Sequence, residues 1–178
     1  MNRIIYSAVF TAMIITGGAQ AEVGKKVVIG TFTHAEMSQW NERSFKNHTG
    51  YKLIGKKAPL ALKASCRKEA SVLYRRITVD LTKTPMLHWS WRVDEVNTSL
   101  DDMTKAGDDY AARIYVAYAG NGILPWRVKA VNYTWANRQP VGASWPSVYT
   151  NNAMMVATQS GQPAKPGQWI NEVRNVHE

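Results

Sequence analysis

Between Met86 and Val93 the chain alternates without a break. Leu87, Trp89, Trp91 and Val93 share one parity, and Met86, His88, Ser90 and Arg92 share the other. A two-residue period of this kind belongs to a β-strand with one buried face and one polar face. Trp89 and Trp91 are therefore expected in the core, with His88, Ser90 and Arg92 pointing away from it.

The same period recurs along the chain between turn signals. Strands are predicted over 26–29, 51–54, 60–65 and 72–81, the last with Arg75 off its parity. Gly107-Asp108-Asp109 then leads into a strand over 109–118. There Tyr110, Ala112, Ile114, Val116 and Tyr118 alternate with Asp109, Ala111, Arg113, Tyr115 and Ala117. The second set places a carboxylate, a guanidinium and a phenol among small alanines, which leaves floor space for a ligand. Further strands are predicted over 128–135, 153–158 and 169–176. Residues 32–45 read as a loop with a helical turn that lays Trp40 and Phe45 on the core. Residues 137–149, with Pro140, Gly142 and Pro146, read as a loop. Many short strands and no long amphipathic helix predict an all-β fold, an antiparallel β-sandwich formed as one domain over 22–178.

Residues 1–21 have the layout of a secretory signal peptide: Arg3 near the start, a mostly apolar run to Ile15, and Ala19-Gln20-Ala21 as a cleavage site. The apolar run is shorter than the roughly 20 residues of a spanning helix. Export to the periplasm or beyond is expected, with no transmembrane segment after cleavage; an uncleaved anchor is the alternative. The formal charge is +9, from 22 basic and 13 acidic residues. In an exported protein this balance favours a glycan or an anionic envelope component. Nucleic acid is not expected, because the basic residues are scattered and no aromatic-basic RNA motif is present. Cys66 is the only cysteine, so the fold has no internal disulfide, and a half-buried structural thiol is expected.

Several segments together resemble the DUF3047 family of exported bacterial proteins. They are Leu62-Lys63-Ala64-Ser65, Val79-Asp80-Leu81, the 85–93 strand with its Trp-x-Trp-Arg-Val ending, Gly107 to Val116, and Arg174-Asn175-Val176. The resemblance runs from about Phe32 onward. It implies a jelly-roll type of sandwich, similar in outline to carbohydrate-binding modules, and no established activity. It also implies a further strand beyond Val176, so the chain is expected to be a shortened member with a slot or edge left open.

Three constellations are candidates for chemistry. If the strands 86–93 and 109–118 pair in one sheet, His88, Arg92, Asp109, Arg113 and Tyr115 share a face, joined by Tyr74 and Arg76 from the preceding strand. Aromatic rings stack on sugar C–H faces while Arg and Asp hold hydroxyls or carboxylates. The competing expectation is a structural ion pair between Arg92 and Asp108 or Asp109. Second, residues 94–109 hold six of the thirteen acidic residues. Asp101, Asp102 and Asp108, with Asp109, are candidate ligands for Ca2+, the one cofactor considered; a cap over Arg92 and Arg113 is the alternative. Third, Asp80, Asp94 and Asp109 are candidate paired carboxylates of a glycosidase, and His88, Arg113 and Tyr115 of a lyase. Of the seven tryptophans, Trp126 and Trp145 lie beside Pro and are the better candidates for an exposed stacking platform, with core packing the simpler expectation. The leading expectation is a non-catalytic domain that recognises a glycan or other envelope component on a sheet face. The alternatives are a carbohydrate-active enzyme and an envelope protein–protein interaction module.

Overall fold

The computed structural model describes residues 26–57, 60–118 and 128–177, and the backbone of one N-terminal strand, β1 (Arg3–Ala8). The rest of the expected leader lies outside the described residues, as does Trp126 with its neighbouring Pro125. The other strands are β2 (Asn41–Lys46), β3 (Gly50–Ile54), β4 (Ala61–Cys66), β5 (Ala70–Tyr74), β6 (Met86–Val93), β7 (Ala112–Tyr118), β8 (Lys129–Ala136), β9 (Ser144–Ser147), β10 (Thr150–Ser160) and β11 (Ile170–Asn175). One 3-10 turn, Glu36–Gln39, is the sole helical element among the described residues. The all-β class holds. The strands form three open sheets, ordered β11-β6-β1-β4-β3, β7-β8-β10-β9 and β2-β5. The chain divides into two compact units. The first takes Tyr6–Trp91 and Ile170–Glu178, and the second takes Arg92–Trp169 together with Arg3–Ile5. No helix among the described residues is long and apolar enough to cross a membrane.

In the first unit, β6 shows the alternation expected of it. Trp89 and Trp91 are buried, with ring centroids 5.5 Å apart in an edge-to-face contact, while Met86 and His88 are exposed. β11 pairs antiparallel with β6 and sets Glu172 opposite Trp89 and Val173 opposite His88. Glu172 is thereby buried, and its carboxylate meets Arg174 at 3.0 Å.

β5 ends at Tyr74, well short of the expected Leu81. Arg75, the residue off parity, is the reason. Its guanidinium donates to the Ile29 carbonyl at 2.6 Å, meets Glu36 Oε1 at 2.9 Å and also donates to Gln39. Glu36 in turn accepts from the Thr31 amide and hydroxyl at 2.6 and 2.7 Å. Burial alone would raise the Glu36 carboxyl. The hydrogen bonds from Thr31 and Phe32 and the Arg75 charge outweigh it and hold the group below its ordinary value. Residues 26–33, expected to include a strand, carry no regular structure and are tied down by this cluster instead.

The second unit corrects the antiparallel expectation. β7 and β8 pair antiparallel, as do β10 and β9, but β10 and β8 run parallel, so the sheet is mixed. β9 was expected as loop because of Pro146. Proline lacks the N–H that an interior strand must donate, and β9 lies at the sheet edge, where that loss is tolerated. Tyr110, Ala136, Trp145, Met155 and Ala157 form the buried apolar cluster of this unit.

Candidate functional site

The acidic stretch before β7 is sorted by partner and does not converge on one point. Asp102 is fully buried. Its Oδ1 accepts from the Asn137 amide at 2.8 Å, and its Oδ2 from the Arg138 and Gln139 amides at 2.7 and 3.0 Å. A carboxylate is well suited to such a turn, because it supplies several lone pairs to backbone donors that would otherwise be orphaned where β8 ends. Asn137 answers with its side-chain amide, which donates to the carbonyls of Gly107 at 3.1 Å and Asp109 at 3.4 Å. The Tyr110 hydroxyl donates to the Asp102 carbonyl at 3.3 Å. Asp101 caps its own turn by accepting from the Met103 amide, and its side chain faces solvent. Asp108 turns to Arg113. The proposed calcium ligands Asp101, Asp102 and Asp108 are thus committed elsewhere. No three His, Cys, Asp or Glu side chains among the described residues are grouped to hold a metal.

Arg113 is the centre of the arrangement. Its Nη2 meets Asp108 Oδ1 at 2.8 Å and donates to the Asp108 carbonyl at 3.2 Å, while its Nη1 donates to Tyr115 Oη at 2.5 Å. The guanidinium also lies 4.4 Å from the Tyr110 ring centroid and 5.4 Å from that of Tyr115. Both members of the ion pair are largely buried. Burial works against the charge on Arg113, but Tyr115 and Asp108 outweigh it and raise its pKa further. Burial dominates at Asp108 and raises its carboxyl despite Arg113. Burial likewise pushes the Tyr110 phenol upward. Of the expected cap over Arg92 and Arg113, the acidic loop supplies the Arg113 part through Asp108.

Strand register extends the site across the sheet. Residues opposite one another in a ladder point to the same face. Arg113 is level with Thr134 and Ala157, Tyr115 with Asn132 and Met155, and Ala117 with Ala130 and Ala153. The result is a Tyr115 ring, 47 % exposed, beside a row of three alanines that passes from exposed at β7 to buried at β10. Asn132 and Thr134 are buried behind the ring and donate across to the Met154 and Val156 carbonyls, both at 3.3 Å.

Asp109 adjoins this cluster, and the other predicted residues lie on other elements. β6 and β7 belong to different sheets, so the shared strand face expected for His88, Arg92, Asp109, Arg113 and Tyr115 is not formed. The two segments are each bordered by other strands: β6 by β11 and β1, β7 by β8. His88 is exposed on β6. Arg92 lies over the Trp169 ring at 5.5 Å. Tyr74 ends β5 opposite Asn41 of β2, and Arg76 follows it in an exposed stretch. Asp109 is exposed and contributes its carbonyl to Asn137. Of the carboxylates considered for catalysis, Asp80 caps a turn by accepting from the Thr82 amide and hydroxyl. Trp145, considered for stacking, is buried in the apolar cluster. Cys66 is a half-buried free thiol 3.4 Å from the Thr49 hydroxyl.

Asn132, Asn137 and the alanine row carry no mark in the sequence. Tyr110 is buried in the core, as its parity implies, although it precedes the strand proper, and Arg113 lies over its ring. The alanines lie on three strands and become a row only once the register is known.

A family model described as a protein of unknown function, DUF3047, matches residues 38–178. No curated protein and no solved structure matches the chain.

Proposed function

The chain belongs to the DUF3047 family, whose description assigns no activity, and we propose from its own geometry that it is an exported, non-catalytic domain that binds a glycan of the cell envelope. The observation that carries this reading is the exposed Tyr115 ring, braced from behind by Arg113 and bordered by Ala117, Ala130 and Ala153. A phenol ring held at a fixed angle beside a shallow, methyl-lined step suits the C–H face of a pyranose. Rigid support matters because a pre-positioned ring loses little freedom on binding. Binding is favoured over turnover at this place. Arg113 is engaged with Asp108, and burial moves Tyr110 away from the range in which a phenol serves as a base.

The finer parts of the proposal are a jelly-roll form of sandwich, akin to carbohydrate-binding modules, and a periplasmic or secreted location. The small-x-small tripeptide Ala19-Gln20-Ala21 supports export. The predominance of short strands in open sheets supports the sandwich. The test is a glycan array probed with the protein and with Tyr115→Ala. Signal on a subset of glycans that drops about tenfold or more in the variant supports the reading. Equal signal from both proteins moves recognition away from Tyr115, and silence from a folded protein on every glycan overturns it.

A further inference from the structure

Arg113 approaches the Tyr115 ring, and its guanidinium is already matched. It forms an ion pair with Asp108 at 2.8 Å, gives a second bond to the Asp108 carbonyl and gives a third to the Tyr115 oxygen. Tyr110 covers one of its faces at 4.4 Å. An arginine that recognises a carboxylate presents its fork to the ligand; here the fork is turned inward. The Tyr115 hydroxyl is neutral, and Asn132 and Thr134 on the same face, also neutral, are buried and committed to the Met154 and Val156 carbonyls. The Tyr115 oxygen accepts from Arg113, which leaves its O–H to donate to a ligand hydroxyl.

We infer that this strip takes an uncharged sugar residue, in preference to a uronate or other anionic one, by ring stacking and neutral hydrogen bonds. The inference rests on the glycan-binding reading and narrows it. It also runs against the overall charge of +9, which by itself favours an anionic ligand. The local ion pair decides because Coulombic attraction from scattered surface charges is screened within about 8 Å at physiological salt.

The experiment is calorimetric titration of the intact protein with neutral hexasaccharides (cellohexaose, maltohexaose, chitohexaose) and with hexagalacturonate. Affinity for a neutral probe is expected to exceed that for hexagalacturonate by about tenfold or more. It is expected to change less than about twofold between roughly 50 and 500 mM salt. Asp108→Asn releases Arg113 and is expected to raise hexagalacturonate affinity about fivefold. If that variant does not fold, the salt series on the unaltered protein decides alone. Preferential, salt-sensitive binding of hexagalacturonate overturns this inference and leaves glycan recognition standing. Absence of binding to all four probes by folded protein overturns both.

Discussion

Gly107 occupies a position where a side chain has no room. A Cβ there would fall 1.7 Å from the Asp101 carbonyl oxygen, which is backbone and cannot swing aside. The same residue offers its own carbonyl to Asn137 and immediately precedes Asp108, the partner of Arg113. Gly107→Ala is therefore expected to cost about 3 kcal/mol, as forced overpacking does, and to weaken glycan binding along with it. Urea denaturation is the check, and an unchanged midpoint would contradict the close approach. Glu36 gives a second residue-scale expectation. Its carboxyl is held below the ordinary value of 4.5, so the stability it contributes is complete above about that pH. It is lost as pH falls through the lower, folded-state value. Denaturation midpoints measured from pH 7 down to about 3 should fall more steeply for the native protein than for Glu36→Gln. Parallel curves would remove Glu36 as the source.

At the scale of elements, legibility followed the solvent boundary. β6 was readable to the residue because one face is buried and the other is not. β2 was missed because all six of its residues are exposed, so no period marks it. β5 was drawn too long because Val79 and Leu81 continue its parity, whereas Arg75 leaves the strand to reach Glu36. β7 was drawn three residues too early, because Asp109 and Tyr110 fit the alternation while serving the loop contacts beneath Arg113. β9 was hidden by Pro146, and its edge position explains how a proline-containing segment still pairs. Trp145 of β9 is paired with Met155 of β10 and belongs to the buried cluster. Trp145→Ala is expected to cost about 4 kcal/mol by opening a cavity. A loss below about 1 kcal/mol in thermal or chemical denaturation would return Trp145 to the surface role first considered for it.

For the molecule as a whole, the proposed export and the fold meet at β1. The sheet order places this strand between β6 and β4. Cleavage after Ala21, as proposed, would remove it and leave the facing backbone groups of β6 and β4 without that neighbour. Unprocessed and processed protein are therefore expected to differ in hydrogen exchange at β4 and β6, with faster exchange after processing, and not at β8 and β10. Intact mass of protein recovered from a periplasmic fraction tests the proposed cleavage. Equal exchange in the two forms would show that β1 does not hold this sheet together.

By itself, the order of residues determined the all-β class, most of the strands and the burial of Trp89 and Trp91. These depend on the local two-residue period, which any strand with one dry face must carry. The same local reading marked Arg113 and Tyr115 as candidates, because a guanidinium and a phenol on one parity are adjacent wherever the strand lies. Tertiary structure alone decided which strands became neighbours. Pairing is a long-range choice, and neither the separation of β6 from β7 nor the parallel meeting of β8 with β10 leaves a local trace. That choice set His88 and Arg92 on a different sheet from Arg113, drew Asp102 into a backbone turn and aligned three distant alanines beside Tyr115. It also gave Arg113 to Asp108, and with that neutralised the charge that would have faced a ligand.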